Sequence, residues 1–271
     1  MIETTNITKE RIKESLKEGK RFDGRKFDEY RKLVIESGVS KKAEGSVRVR
    51  LGETDVVVGI KMDVVAPYPD GLDEGVLMTS AEFLAISSPR YEPGPPKIGA
   101  IELARIIDRG IRESKYVDFK KLCIKEGEKV WQIFIDIYSI NDDGNLLDAA
   151  AIGALAALKS AKIPKYDEKT ERVQYGEWSD KKVPLVEKNT PFTITIHKIG
   201  DRLIVDPNRE EEDASEGRIS IAMSGDSSEN FINAMQKGNV ATFSIEELEK
   251  VLELVENQWK EIKGKFDKLI K

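Results

Sequence analysis

An apolar run that follows the turn NDDGN constrains the fold more than any other part of the sequence. Residues 146–161, LLDAAAIGALAALKSA, predict an α-helix that is apolar on nearly every side. A helix of this kind is buried between other elements of a globular protein. The sequence therefore predicts a central buried helix, and its glycine, Gly153, is assigned to close packing in the core.

Strand-forming segments lie on both sides of this helix in the sequence. KLVIES, GSVRVRLG and DVVVGIKMDVVAP fall within residues 30–66, and VWQIFIDIYSI runs up to the turn. The β-branched residues and the glycines between the first three segments predict an antiparallel sheet. FTITIHKIG, RLIVD and GRISIAMS follow the helix and predict strands of a second lobe. Because each lobe has strands and then a helix, the expected fold class is α+β with mixed or antiparallel sheets.

Both ends of the chain are predicted to be helical. Ile12 and Leu16 lie among charged residues with the spacing of a short amphipathic helix over residues 8–18. Ser244 and Glu247 have the pattern of a capping box. An apolar stripe at alternating spacings of three and four residues follows it: Ile245, Leu248, Leu252, Val255, Trp259 and Ile262.

The organisation expected from these patterns has four parts. Residues 1–29 form an N-terminal helical arm, and residues 30–165 form the first lobe. Residues 166–188 are a polar connection in which RVQYGEW is a candidate strand, and residues 189–271 form the second lobe with the C-terminal helix.

A loop rich in proline and glycine leads into a helix that carries a row of arginines. SPRYEPGPPKIG is predicted to be irregular, because proline lacks a backbone N–H group and glycine favours turns. In the next segment, IELARIIDRGIRES, Arg105, Arg109 and Arg112 have spacings that place them along one helical face. Arg90 and Lys97 lie on the preceding loop. These five cations are the candidates for binding an anionic ligand.

Composition limits the classes of function. The formal net charge of −5 argues against a free-standing nucleic-acid binder, so contact with RNA must be local and binding of DNA is not expected. No stretch approaches the ~20 apolar residues of a transmembrane helix, and the first residues lack the apolar segment of a signal peptide. We therefore expect a cytoplasmic protein with no membrane partner.

The single cysteine and the single histidine restrict the possible chemistry further. Cys123 excludes an intramolecular disulfide and a cysteine-based metal site, and its neighbours predict a small core residue. His197 is the only histidine and lies in the alternating run TPFTITIHKIG. We expect it to be an exposed strand residue with no catalytic role.

Four motifs, in one order along nearly the whole chain, resemble the RNase PH family of phosphate-dependent exoribonucleases, which includes the ring subunits of exosomes. They are RFDGR with the later GSVRVRLGETDVVV; EPGPPKIGAIELARIIDRGIR; DDGNLLDAAAIGALAAL; and VDPNREEEDASEGRISIAMS. Each motif is weak alone, but their order and spacing together are strong. The resemblance implies an RNase PH-type fold of two lobes.

The resemblance also implies that the phosphate-binding turn is altered. Active members resemble Asp-Gly-Gly-Thr-Arg at this turn, where the arginine and a helix N-terminus provide positive potential for phosphate. Here Leu147 stands at the arginine's position, with Asp142, Asp143 and Asp148 nearby. Asn145 and Asp148 are expected to cap the helix instead.

The catalytic carboxylates implied by the resemblance are altered as well. Active members carry two aspartates six residues apart, and these positions fall on Glu212 and Arg218. A guanidinium reverses the charge and provides only hydrogen-bond donors. The neighbouring acids, Asp206, Glu210, Glu211, Asp213 and Glu216, are expected to be a solvated loop that binds no metal.

The expected function is therefore that of a non-catalytic structural subunit of a hexameric 3′-to-5′ phosphorolytic complex, the exosome, without a cofactor. By resemblance its partners are a catalytic RNase PH-like paralogue in a trimer of heterodimers, RNA-binding cap proteins and single-stranded RNA. Arg105, Arg109 and Arg112 are the expected RNA contacts, with Arg90 and Lys97 as secondary candidates.

Two other functions are compatible with the sequence. The chain could be an active phosphate-dependent 3′-exoribonuclease that uses displaced carboxylates. It could also be an RNA-independent assembly factor in which the arginines form intrahelical pairs, such as Glu102 with Arg105 and Asp108 with Arg112.

Overall fold

A computed structural model describes residues 4–226 and 228–270 of the chain. Within these residues the α-helices are α1 Asn6–Lys17, α2 Ile98–Glu113, α3 Leu146–Ser160, α4 Arg209–Ala214 and α5 Ile245–Leu269. The strands are β1 Leu33–Ser37, β2 Gly45–Leu51, β3 Thr54–Val65, β4 Val76–Phe83, β5 Cys123–Lys125, β6 Lys129–Asn141, β7 Lys162–Asp167, β8 Arg172–Lys182, β9 Phe192–Ile199, β10 Arg202–Val205, β11 Gly217–Gly225 and β12 Asn230–Gly238. The predicted α+β class is confirmed.

The first sheet has the order β1-β2-β3-β6-β4. The short strand β5 pairs with the first residues of β6, Lys129 and Val130. β1, β2, β3 and β6 pair with one another in antiparallel order, as predicted for the strands within residues 30–66. β4 instead runs parallel to β6, because α2 lies in the crossover between them. This crossover places the N-terminal end of α2 beside the end of β4.

The second sheet is antiparallel and has the order β10-β9-β11-β12. The first three of these strands were predicted, but β12 was missed because its sequence, NFINAMQKG, has no run of β-branched residues. β12 is an edge strand, and α2 packs beside it. The arginine helix therefore lies against both sheets.

Helix α3 is buried along its length, as its composition predicted. It packs against β2 and β3 of the first sheet and β9 of the second. Gly153 permits a close approach, since a Cβ atom there would lie 2.7 Å from Cγ2 of Val58. The assignment of Gly153 to core packing is confirmed.

Two glycine substitutions test this packing. Gly153→Ala should lower the free energy of unfolding by about 1–3 kcal/mol, because the added methyl group overpacks the contact with a buried β3 valine. Gly264→Ala in α5 is the matched control, since a Cβ atom there meets nothing within 4 Å. It should raise stability by up to about 1 kcal/mol through helix propensity. Urea unfolding measures both, and equal effects would contradict the account.

The C-terminal helix confirms one prediction and corrects another. Ser244 and Glu247 form the predicted capping box at the start of α5. The predicted apolar stripe is wrong at Ile245 and Leu252, which are 74% and 38% exposed. A strict spacing of 3.5 residues drifts around a straight helix of 3.6 residues per turn. The buried face is instead made by Val251, Val255, Gln258, Trp259, Ile262 and Phe266.

Three smaller predictions concern the ends and connections. Ile12 and Leu16 of α1 are buried against the β9–β10 end of the second sheet, as expected of an amphipathic helix. The candidate strand RVQYGEW is confirmed as part of β8, which pairs with β7, and most of β7 precedes the predicted connection. Cys123 is only partly buried, because it opens the short edge strand β5, and the prediction of a core residue is wrong. No described helix is long and apolar enough to cross a membrane.

Candidate functional site

The turn before α3 is where the sequence placed the altered phosphate site. Asn145 adopts a left-handed conformation, and its backbone N–H group donates to Oε2 of Glu212 at 2.8 Å. The backbone N–H of Gly144 donates to Oδ1 of Asp142 at 3.1 Å. A phosphate held at a helix N-terminus needs such N–H groups to be free. Here carboxylates of the same chain already occupy them.

The prediction that the Asn145 side chain caps α3 is wrong. Its amide makes no cap hydrogen bond. Instead Nδ2 donates to Asp148 at 3.1 Å and to Asp206 at 2.9 Å. The NH2 group of Asn145 faces these two buried carboxylates. Hydrogen bonds to a carboxylate are stronger than hydrogen bonds between neutral groups. Asn145 therefore joins α3 to the loop that precedes α4.

Asp206 is the centre of a buried group of charges. It is fully buried and accepts hydrogen bonds from Arg25 at 3.0 Å and from Nη2 of Arg31 at 2.7 Å. Arg21, also from the RFDGR motif, pairs with buried Glu211 at 2.5 Å. A buried charge is tolerated only when it is paired and hydrogen-bonded. The RFDGR arginines therefore fix the acidic segment to the body of the protein.

The prediction that residues 206–216 form a solvated loop is wrong for most of the segment. Arg209–Ala214 is the helix α4, which begins with a capping box of Asn208 and Glu211. The arginines of RFDGR are far away in sequence, so no local pattern reveals that they neutralise these acids. No group of acidic, histidine or cysteine side chains among the described residues could hold a metal ion.

Arg209 and Arg90 are held by acids of the same region. Arg209 lies 3.0 Å from both Asp142 and Asp213. Arg90 makes two hydrogen bonds to Asp213, at 2.7 and 2.5 Å. Burial alone would raise the pKa of Asp213, but hydrogen bonds from Arg90 and Thr4 outweigh it and hold that pKa well below its usual range. The two hydrogen bonds hold Arg90 against α4, and its side chain also lines a cleft under the proline-glycine loop.

The positions of Leu147 and Arg218 complete the altered site. Leu147 is buried, 7% exposed, and provides no charge to the turn. Arg218 of β11 donates to Oε1 of Glu102 of α2 at 2.5 Å. The predicted pair of Glu102 with Arg105 is therefore wrong, since Glu102 bridges α2 to the second sheet. Leu147 offers no group that could bind phosphate, and the guanidinium of Arg218 is paired with Glu102 and cannot accept a proton.

His197 is buried, which corrects the expectation that it is exposed. It is 2% exposed, because β9 is an inner strand and α4 packs on it. Its Nδ1 atom lies 3.1 Å from Oγ of Ser215. Burial, together with the charges of Arg218 and Arg209, lowers the pKa of His197 to about 3. The ring is neutral at physiological pH.

The arginine helix presents its cations differently along its length. Arg105 is exposed, and within the described residues its guanidinium makes no hydrogen bond or ion pair. Arg109 is 52% exposed and pairs with Glu113 at 3.1 Å. Arg112 is held by Asp108, as predicted, and by the carbonyl oxygen of Leu77. The group available to an anion is therefore centred on Arg105 and Arg109.

Two clefts flank these arginines. One, of about 290 Å³, lies between α2 and β12; Arg105 and Arg109 line one side, and Asn233 and Gln236 line the other. The sequence gave no signal for these amides, since β12 itself was not predicted. A larger cleft of about 720 Å³ lies under the proline-glycine loop and contains Lys97. Lys97 is exposed, and among the described residues it pairs with exposed Glu92 at 3.0 Å, a weak surface contact.

Comparison with known proteins identifies one family, which matches both the N-terminal and the C-terminal part of the chain. The model for domain 1 of the 3′ exoribonuclease family matches residues 29–164, and the model for domain 2 matches residues 189–256. An exosome complex component Rrp42 from Thermococcus kodakarensis is 46% identical over 267 residues, 98% of this chain and 96% of that protein. A second, from Methanosarcina acetivorans, is 44% identical over 260 residues, 96% of this chain and 93% of that protein.

A solved structure supports the same relationship. The Archaeoglobus fulgidus exosome with RNA bound to the active site contains a chain that is 40% identical to this one, with a TM-score of 0.86. The match covers 96% of this chain and 98% of that chain. The RNase PH-type fold expected from the four motifs is therefore confirmed.

Proposed function

Because the chain belongs to the 3′ exoribonuclease (RNase PH) family, we propose that it is a non-catalytic subunit of an exosome core ring that degrades RNA from the 3′ end. The observation that carries the proposal is the state of the altered site. Where active members hold phosphate, this chain has buried Leu147, and its own Glu212 occupies the N–H group of Asn145.

The electrostatics of the turn support the loss of phosphorolysis. Phosphate and the transition state both need an excess of positive charge that is aimed at the reacting oxygens. Arg31 and Arg209, the cations nearest the turn, are engaged by Asp143, Asp206, Asp142 and Asp213. A phosphate dianion entering here would displace a carboxylate from an established ion pair, and it would meet the remaining carboxylates as like charges.

The role in RNA binding rests on α2. Arg105 lacks a partner among the described residues and Arg109 has only an exposed one, so both can turn to RNA phosphates at little cost. In a chain with net charge −5, such a contact is a local one. Arg112 and Arg90 contribute by holding α2 and the loop in place. Lys97 is a secondary contact beside the same helix.

The partners follow from the family and from what this chain lacks. The catalytic groups must come from a paralogue with an intact site, which we place beside this chain in a six-membered ring of three heterodimers. RNA-binding cap proteins deliver single-stranded RNA to the ring. We place the complex in the cytoplasm, which suits a chain with a single cysteine.

Arg218→Asp tests whether one lost carboxylate explains the inactivity. The variant restores an acid at the position assigned to the second catalytic aspartate, but the phosphate site at Leu147 is still absent. It also removes the cation that pairs with Glu102 and puts a like charge beside it. We expect no phosphate-dependent release of nucleoside diphosphates from single-stranded RNA, with an assembled complex as the positive control. Robust activity of this single variant would place the phosphate site elsewhere.

A further inference from the structure

The N-terminal arm, residues 4–25, precedes the first sheet in sequence but packs on the second sheet. Its helix α1 contacts α4, and Ile12 and Leu16 are the buried side chains of α1. These two side chains share a small apolar cluster with residues of β9, β10 and α4: Ile199, Ile204 and Ala214. The cluster is separate from the large core, which contains α3 and strands of both sheets.

Polar contacts near each end of the arm fix it to the acidic segment, residues 206–216. Near the start of the arm, Oγ1 of Thr4 donates to Oδ2 of Asp213 at 2.5 Å. Near its end, Nη2 of Arg21 donates to Oε2 of Glu211 at 2.5 Å, and both of these side chains are buried. Because the apolar cluster lies between these two contacts, the arm has the form of a strap across α4.

Helix α4 depends on this strap. It has six residues, Arg209–Ala214, and a helix of that length is not stable alone in water. It packs on α1 and on β9. Asp213 of α4 accepts two hydrogen bonds from Arg90. Glu212 of α4 accepts a hydrogen bond from the backbone N–H group of Asn145. The position of the strap therefore decides whether the altered site keeps these contacts.

We infer that the arm and α4 open together as one local unit, while α3 and both sheets stay folded. The opening releases Glu212 from the turn before α3 and Asp213 from Arg90. The strap is thus a conformational device that keeps the altered site closed. This opening is a property of the chain alone and is independent of its partners in a ring.

The charges beneath the strap are arranged so that the arm and α4 can leave together. Breaking a buried ion pair from one side is costly, because the remaining charge stays in the interior. When the arm and α4 open as one unit, Arg21 and Glu211 both reach water. Asp206 loses the hydrogen bond from Arg25 but keeps those from Arg31. The carboxylate that stays behind therefore remains paired.

The small size of the apolar cluster makes this opening less costly than global unfolding. The arm contributes two buried apolar side chains, Ile12 and Leu16, whereas the large core joins residues of α2, α3, α5 and both sheets. Proteins open locally in cooperative units whose opening free energies lie below that of global unfolding. Amides of α1 and α4 should therefore exchange with solvent before those of α3.

The test is native-state hydrogen exchange of the purified chain, followed on amides of α1, α4 and α3. Amides of α1 and α4 should share one protection factor, at least about tenfold below that of α3. Leu16→Ala should lower the protection of α1 and of α4 by the same factor, about a hundredfold, because one opening exposes both. Ile7→Ala in α1 is the matched control, since Ile7 is 76% exposed, and it should change protection by less than about threefold.

A mild substitution in the large core distinguishes local opening from global unfolding. Ile135 of β6 is fully buried in that core, and Ile135→Val should lower the protection of α3 about fivefold. The protection of α1 and α4 should not change, because the core stays folded in the opened chain. An equal loss in α1, α4 and α3 would mean that they exchange by global unfolding, which would overturn the inference. So would a Leu16→Ala chain in which α1 loses protection and α4 does not, since the strap would then not hold α4.

Discussion

Reversing the charge of Arg105 and Arg109 together should weaken binding of single-stranded RNA by the assembled complex about 25-fold at ~0.1 M salt. Each phosphate contact contributes about 0.7 to the slope of log affinity against log salt on a single strand. Losing two contacts therefore changes the affinity at ~0.1 M salt about 25-fold, if the affinities of the two complexes meet at about 1 M salt. The same change should flatten that slope by about 1.4. Both residues are exposed and neither is held by a buried partner, so the ring should remain assembled.

The control carries the same change of net charge at a different place. Lys169→Glu with Arg172→Glu alters two exposed cations at the β7–β8 hairpin, which forms a sheet of its own. It should leave the salt slope of RNA binding unchanged. If the Arg105 and Arg109 variant also leaves the slope unchanged with an intact ring, the arginines do not contact RNA and the subunit is purely architectural.

Replacing Asp206 by alanine should lower the free energy of unfolding by about 3–5 kcal/mol. The substitution removes a fully buried carboxylate and leaves Arg25, Arg31 and Asn145 without their shared acceptor. Breaking a buried ion pair from one side is costly because the remaining charge stays buried and uncompensated. Urea unfolding of the purified chain measures the effect.

Asp201→Ala is the matched control for this prediction. Asp201 lies on the turn before β10, is 65% exposed and is 3.8 Å from Arg202, so its removal should change stability by less than about 0.5 kcal/mol. A loss below about 1 kcal/mol for Asp206→Ala would mean that the RFDGR arginines find other acceptors. In that case the RFDGR motif would not fix the acidic segment, residues 206–216, to the body of the protein.

The parts of the fold that depend on local pattern could be predicted from the sequence. The burial of α3 follows from its composition, and the start of α5 follows from Ser244 and Glu247. β12 escaped prediction because an edge strand with one face against α2 needs few β-branched residues. His197 was misjudged because alternation shows that a residue lies in a strand, not whether α4 covers it.

The candidate site could be predicted only where it depends on residue type. The substitutions at Leu147 and Arg218 are visible in the sequence once the family resemblance is found. The pairing of Glu102 with Arg218 and of Arg90 with Asp213 joins residues more than a hundred positions apart. Such pairs depend on the packing of α2 and α4, so they needed the structure.

The most direct test of the account is the phosphate-dependent release of nucleoside diphosphates from single-stranded RNA by this chain alone and by its complex with a catalytic paralogue. We expect no release from the purified chain, because Leu147 and Arg218 remove both the phosphate site and the carboxylate pair. The complex should degrade the same RNA. Turnover by the chain alone that disappears in the Glu212→Gln variant would contradict the account, since it would place an active site in this subunit.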